Sequence, residues 1–283
     1  NPAETFNFTV GDGEGLRDGV TITAPEFDPD EFSIALDQGV TAGSSNIILP
    51  DFDQVGVYTY PITEVKPTVE TAGMFYDADP KDLVITVINN PAYDSEEEDS
   101  QEFLRVVTMT SRDEEDNPIK VDVVQNTFSA GNLTINKVIT GNYADPNDEF
   151  TITVTVTPDT GKVIKPGPIV WNTTNVTESG GAYTATYTLT GGDNNTVTIQ
   201  NLPYNVSYTV VETQYAGYDA PVYDDNATGA FSAASIETTI TNNRYMEIAT
   251  GINLDSLPYL IILAVAIGGL ALFVVRRRRA INE

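Results

Sequence analysis

Short runs of alternating apolar and polar residues recur through residues 1–244. Phe6, Phe8 and Val10 alternate with Asn7 and Thr9, and Tyr58, Tyr60 and Ile62 are followed on the same face by Glu64. Leu83–Ile88 is a near-continuous apolar strand run, and Leu104–Met109 and Lys120–Val124 follow. A second series begins with Leu133, Ile135 and Lys137 on one face. It continues through Phe150–Val156, Ala182–Tyr187 and Thr196–Ile199, then Tyr208, Val210 and Glu212 on one face, and Ile240 with Asn242. A period of two predicts strands, and no segment here has the spacing of an amphipathic helix. About seven short strands per block, separated by turn residues, predict an all-β chain of two tandem immunoglobulin-like sandwiches. The join is placed in the polar stretch SAGN, residues 129–132.

The two blocks look like one plan used twice. FNFTV at 6–10 resembles FTITV at 150–154, YTYPITEV at 58–65 resembles YTVVET at 208–213, and VVQNTF at 123–128 resembles TITNNR at 239–244. Phe6 to Glu64 is 58 residues and Phe150 to Glu212 is 62. Agreement in both spacing and sequence marks an internal repeat.

The C-terminal end is of another kind. Leu257–Val275 is uncharged, long enough to cross a bilayer as a helix, and is followed by Arg276, Arg277, Arg278 and Arg279. Ser256 suits its N-cap and Pro258 its first turn, and the arginines place the C-terminus in the cytoplasm. Domains are therefore expected at 1–130 and 131–244, a linker at 245–256, the membrane helix at 257–275 and a basic tail at 276–283. The opening NPAETFNFTV lacks the basic and apolar regions of a signal peptide. The expectation is that a signal was removed or that the sequence starts inside the mature protein.

Charge and composition then narrow the function. Four of the 14 basic residues are those arginines, leaving 10 before residue 257 against 40 acidic ones. So acidic a region offers no basic face for nucleic acid. With Cys 0 and His 0 there are no disulfides, no thiol nucleophile, no histidine metal ligand and no Ser-His-Asp triad. No cofactor and no metal is expected. A carboxylate-pair glycosidase is disfavoured, because 40 acidic residues supply pairs by chance. Surface proteins made where disulfides form commonly carry cysteines, so an acidic Cys-free exterior suits a Gram-positive surface. The acidic stretches Asp94–Asp99 and Asp145–Asp148 are expected to be solvated, since neither has the ligand order of a calcium loop.

Parity places three polar residues inward: Lys137, Glu212 and Asn242. Burying them is costly unless they meet. If they converge, desolvation lowers the pKa of Lys137 towards a nucleophilic neutral amine and raises that of Glu212, which stays protonated and moves protons. The product is a Lys–Asn isopeptide bond released with ammonia. The plainer alternatives are a satisfied polar trio, or a lysine that snorkels outward at a strand end.

On these motifs the chain resembles a Gram-positive sortase-assembled pilin. The first block resembles the pilin isopeptide-linkage domain through FNFTV, YTYPITEV and VVQNTFSAG. The second resembles a Cna B-type domain through LTINKVITGNYADPNDEF, NLPYNVSYTVVET and TITNNR. The resemblance implies an intramolecular bond between Lys137 and Asn242 assisted by Glu212, with Asn243 a disfavoured acceptor on the opposite strand face. In the first block it implies Glu64 as the acid and Asn126 as the acceptor, but no lysine precedes FNFTV. Lys137 lies 13 residues before Phe150, and the same count back from Phe6 passes residue 1. The expectation is a clipped sequence whose lysine and first strand lie upstream, leaving Glu64 and Asn126 unpaired and one edge strand missing.

The resemblance also implies a sorting signal. Glu247-Ile248-Ala249-Thr250-Gly251 keeps the Thr–Gly pair but not the Leu and Pro of the usual motif. Cleavage between Thr250 and Gly251 by a sortase, with transfer to neighbouring pilin subunits or peptidoglycan, is expected on a cell surface. A permanent membrane anchor is the alternative. Acceptor amines come from Lys66, Lys81, Lys120, Lys162 and Lys165, with none selected. The rival function is a monomeric wall-anchored adhesin that binds host matrix or glycans. No enzyme activity is expected beyond the self-catalysed cross-link.

Overall fold

In the computed structural model, residues 1–97, 100–112, 115, 117–247 and 257–281 are described, the side chains of 257 and 278–281 excepted. Strands dominate, and the sole helix among these residues is at the C-terminus.

The first body contains β1 (Glu4–Val10), β2 (Glu14–Arg17), β3 (Val20–Thr23), β4 (Glu31–Leu36), β5 (Gly56–Val65), β6 (Glu70–Thr71), β7 (Met74–Phe75), β8 (Lys81–Asn89), β9 (Phe103–Arg112), β10 (Pro118–Val121) and β11 (Thr127–Phe128). One large sheet runs β10-β9-β8-β5-β1-β4, with the β2–β3 hairpin attached to β5. The alternation read from the sequence is obeyed: Phe6, Phe8, Val10, Tyr58, Tyr60 and Ile62 are buried on one face. The apolar run in β8 also resolves into alternation, with Leu83, Ile85 and Val87 buried and Val84 and Thr86 half-exposed. The second layer is thin. The β7–β11 pair and residues between strands, Phe27, Phe52 and Tyr76 among them, cover the sheet.

The second body contains β12 (Ala130–Thr140), β13 (Glu149–Pro158), β14 (Lys162–Val163), β15 (Val176–Ser179), β16 (Ala182–Thr190), β17 (Thr196–Pro203), β18 (Val206–Glu212), β19 (Val222–Tyr223), β20 (Thr228–Phe231) and β21 (Ser235–Asn243). Two full sheets face each other, β17-β12-β21-β19 and β15-β16-β13-β18-β20. Leu133, Ile135, Phe150, Ile152, Val154, Ile199 and Ile240 meet between them with no exposed surface. The first and last strands, β12 and β21, are neighbours and run parallel over nine residue pairs, from Asn132–Ser235 to Thr140–Asn243.

Residues 130–132, read as linker, belong to β12. Asn132 N donates to Ala234 O, and pairing with β17 shifts register between Gly131 and Leu133, so the polar stretch is absorbed into the sheet as an irregular start. A strap from the second body, β14, pairs in parallel with β6 of the first. Lys162 pairs with Glu70, and Lys165 Nζ lies 3.1 Å from Glu4 Oε2. Gly73 turns with φ +80° at this junction, and a Cβ there would lie 2.6 Å from Ser129 O and 3.0 Å from Pro203.

The helix α1 (Leu257–Ile281) runs on into the arginines, past the expected end at residue 275, because arginine is a good helix former. Its stretch Pro258–Arg277 is long and apolar enough to cross a membrane.

Candidate functional site

Strand parity brings Lys137, Glu212 and Asn242 together in the second body. Lys137 on β12 and Asn242 on β21 come from one sheet, offset by two residues in the parallel register, because Lys137 pairs with Ile240. Glu212, at the end of β18, arrives from the opposing sheet. Lys137 Nζ donates to Asn242 Oδ1 at 2.6 Å, and Asn242 Nδ2 donates to Glu212 Oε1 at 2.7 Å. Glu212 Oε2 has no hydrogen-bond partner, and its neighbour is Lys137 Nζ at 3.5 Å. The Lys137 and Glu212 side chains are fully buried, and Asn242 has no exposed surface.

Two further groups complete the pocket. The Phe150 ring covers the amine with its centroid 4.2 Å from Nζ. The main-chain N–H of Glu212 donates to Tyr223 Oη, which fixes the strand end. Carbonyls of Val138 and Ile240 accept from Nζ at 3.0 and 3.4 Å. Burial pushes the Lys137 pKa down, with the Glu212 charge opposing it. Burial pushes the Glu212 pKa up, against Lys137 and the Asn242 hydrogen bond. Both shifts favour the neutral forms, an amine beside a carboxylic acid. Asn243 points elsewhere: its Oδ1 accepts from Thr140 Oγ1 and its Nδ2 donates to Asp219.

The first body has two of the three. Glu64 on β5 is buried, and its Oε1 accepts from Asn126 Nδ2 at 3.1 Å. The expectation that these two stand unpaired is therefore corrected: they bond each other, because a buried carboxyl takes whatever donor is in reach. Glu64 Oε2 is left without a partner. Burial raises the Glu64 pKa, with the Asn126 bond opposing. Residues 122–126, which match the end of β21, lie in no strand ladder.

The acceptor lysines separate by environment. Lys81 is buried against Asp77, while Lys162 and Lys165 are held by Glu70 and Glu4 across the junction. Lys66 and Lys120 are exposed. Glu98 and Asp99 of the first acidic loop lie outside the described residues, as do Thr250 and Gly251. The second acidic turn is not simply solvated. Asp148 accepts from Tyr215 Oη and Tyr218 Oη and pairs with Arg244, which ties it to the end of β21. The sequence reading missed Asp77, whose N–H donates to Asn126 Oδ1 at 2.6 Å, because a loop residue has no periodicity to reveal it. Phe150 was legible only as the start of a strand.

Residues 1–132 match the family described as Spy0128-like isopeptide containing domain. Residues 131–244 match a domain family of unknown function, DUF7601. Over 248 residues the chain is 24% identical to a pilin of Streptococcus pyogenes serotype M1, covering 81% of this chain and 69% of that protein. The crystal structure of the major pilin from Streptococcus pyogenes superposes with a TM-score of 0.53 at 18% identity, over 87% of this chain and 92% of that one. The chain thus shares its fold with that pilin structure.

Proposed function

We propose that this chain is a structural subunit of a Gram-positive surface pilus, stiffened by a self-made bond between Lys137 and Asn242. The observation that carries the reading is the dry trio itself: an amine 2.6 Å from the amide oxygen it would attack, and a carboxyl 2.7 Å from the nitrogen that would leave. Lys137 gives a proton to Glu212 Oε2, and the neutral amine adds to Cγ of Asn242. In the tetrahedral adduct Glu212 gives its proton to the departing nitrogen and takes the surplus proton from the attacking nitrogen, and collapse expels ammonia. One amine and one carboxamide become one secondary amide and one ammonia.

The bond joins the first strand of the domain to the last. The C-terminal end of the domain then lies next to the cross-link and the N-terminal end lies along β12 from it, so a pull along the fibre runs through β12, the bond and the end of β21 and loads a covalent path rather than the strand ladder. The same reading makes Glu64 and Asn126 the acid and acceptor of a second bond, whose amine comes from a strand alongside residues 122–126. At the C-terminus, a sortase would cut between Thr250 and Gly251 and pass Thr250 to an amine on the next subunit or on wall peptide, with α1 holding the precursor in the membrane. Lys66 and Lys120 are the acceptor candidates whose amines are not engaged in a described ion pair.

Intact mass tests the bond. Residues 1–283 should be lighter than their sequence by one ammonia, and Lys137→Ala or Asn242→Ala should restore the full mass. A wild-type chain at full mass would remove the cross-link from the reading. Fibre ladders on a denaturing gel that vanish only when both Lys66 and Lys120 are replaced would support the polymer, whereas a single wall-linked species would favour a monomeric adhesin.

A further inference from the structure

In the first body, the Asn126 carboxamide is held at both ends. Its nitrogen donates to Glu64, and its oxygen accepts the main-chain N–H of Asp77 at 2.6 Å. The second body is built differently. The described side-chain donor to Asn242 Oδ1 is the attacking amine itself. We propose that the Asp77 N–H is the oxyanion donor of the Asn126 acceptor, and that Lys81 is the positioning residue that holds it in place. This rests on the reading of Glu64 and Asn126 as half of an isopeptide site.

The chemistry asks for such a donor. When a primary amine adds to Cγ of Asn126, the carbonyl electron pair moves onto Oδ1. A main-chain N–H already aimed at that oxygen stabilises the charge without reorganisation. Collapse then re-forms the carbonyl, breaks the bond from Cγ to Nδ2 and expels ammonia. The surplus proton of the amine passes to Glu64, and the Glu64 carboxyl protonates the leaving nitrogen. Amine and carboxamide become secondary amide and ammonia, with no other reactant.

The Asp77 backbone is fixed by its own side chain. Its carboxylate accepts from Asp79 N at 3.0 Å and Gln125 N at 3.4 Å, and pairs with Lys81 Nζ at 3.2 Å. Burial alone would raise its pKa, but these donors outweigh burial and hold it below the usual carboxylate range. One carboxylate thus ties the 77–81 loop to the residue beside Asn126. Lys81 is itself nearly buried and its amine is committed to Asp77, so it serves as a pin and not as the nucleophile.

Hydroxylamine, a small nucleophile that is neutral near pH 7, tests this on residues 1–283 in detergent. The wild type should convert Asn126 to a hydroxamate, heavier by one oxygen atom, with release of ammonia, as located by peptide mass spectrometry. Asp77→Pro, which removes the N–H, should slow this by about a hundredfold or more. Asp77→Asn, which keeps the N–H, should stay within about tenfold of the wild type, and Lys81→Met should lose about tenfold with recovery in Lys81→Arg. If the wild type never forms the hydroxamate, or Glu64→Gln forms it as fast, the half-site reading itself fails. If the reaction needs Glu64 but Asp77→Pro matches either wild type or Asp77→Asn, the oxyanion assignment is overturned and the half-site reading stands. Should Asp77→Pro fail to fold, Lys81→Met decides: a rate equal to wild type overturns the proposal.

Discussion

The two bodies put the same acid and amide in reach of each other and differ in what stands on the third side. In the second, Asn242 sits on a strand laddered to the one that carries Lys137, inside two closed sheets, with no exposed surface. In the first, Asn126 follows residues that join no ladder, and it remains half-exposed. Both acids keep one oxygen without a hydrogen-bond partner. The comparison teaches that an acid and an amide meet in both bodies, although their strand surroundings differ. Sheet geometry and burial bring acid and amide together, and in the second body the neighbouring parallel strand β12 places Lys137 beside them.

Removing the acceptor should produce the largest effect. Asn242→Ala prevents closure of a loop that spans Lys137 to Asn242, 105 residues apart. By analogy with a disulfide of that length, the bond restricts the unfolded chain by about 4–5 kcal/mol. The melting temperature of the second body should fall on the order of 20 °C. Asn126→Ala should leave the intact mass otherwise unchanged and cost only about 1–3 kcal/mol, the penalty of stranding the Glu64 carboxyl and the Asp77 N–H. Calorimetry of both variants checks the contrast, and equal losses would erase it.

Next in size is Glu212→Gln. The amide still accepts from Asn242, so the trio remains packed, but no proton can move. Cross-linking should slow by about 10²–10⁴-fold, a range set by the loss of general acid–base help. Time-resolved intact mass after refolding measures it. Rapid ammonia loss in this variant would mean that burial of the amine alone suffices.

Much of this was legible beforehand because inward-facing positions repeat every second residue. Phe6, Tyr58 and Leu133 had to point inward, and so, by the same parity, did Glu64, Lys137, Glu212 and Asn242. The short strands β6, β7, β14 and β19 were not legible, since two residues carry no period and are defined by partners distant in sequence. The bond between Glu64 and Asn126 was missed because the reading asked which lysine was present rather than which donor was nearest. Nor did the pattern show that Lys162 and Lys165 reach across to the first body, or that Asp148 anchors two tyrosines and Arg244. Such long-range polar contacts depend on how loops pack.

A subtler effect should follow pH through Glu64. The folded first body holds Glu64 above its ordinary value of 4.5, chiefly through burial. The folded state therefore keeps a proton that the unfolded chain has released. That contribution to stability is fully present below 4.5 and is lost as pH rises through the folded value. Glu64→Gln stays neutral throughout, so it should remove this decline. Urea midpoints of wild type and variant, compared from acid to neutral pH, should diverge as pH rises, with the variant ahead. Parallel curves would mean that Glu64 is not held protonated, and the likeness between the two acids would fail.

The smallest effect belongs to the junction. Lys165 bonds Glu4 Oε2 and Ala3 O from a side chain about one-third exposed, and Glu4 also accepts from Thr71 Oγ1. Exposed pairs of this sort contribute about 0–1 kcal/mol. Lys165→Ala should therefore leave the melting of the second body unchanged and that of the first nearly so. Its effect should appear instead in amide exchange at Glu70 and Ala72, whose N–H groups donate to Gly161 O and Val163 O of the strap. Faster exchange there, with no change in β12 or β21, would show that the strap opens locally. Unchanged exchange would mean that the parallel ladder between β6 and β14 holds without the ion pair, and that the bodies are coupled through main-chain bonds and the buried Ala72 and Ile164. In either case β12 and β21 should not register the change, because neither strand takes part in the contacts of Lys165, Glu4 and the strap.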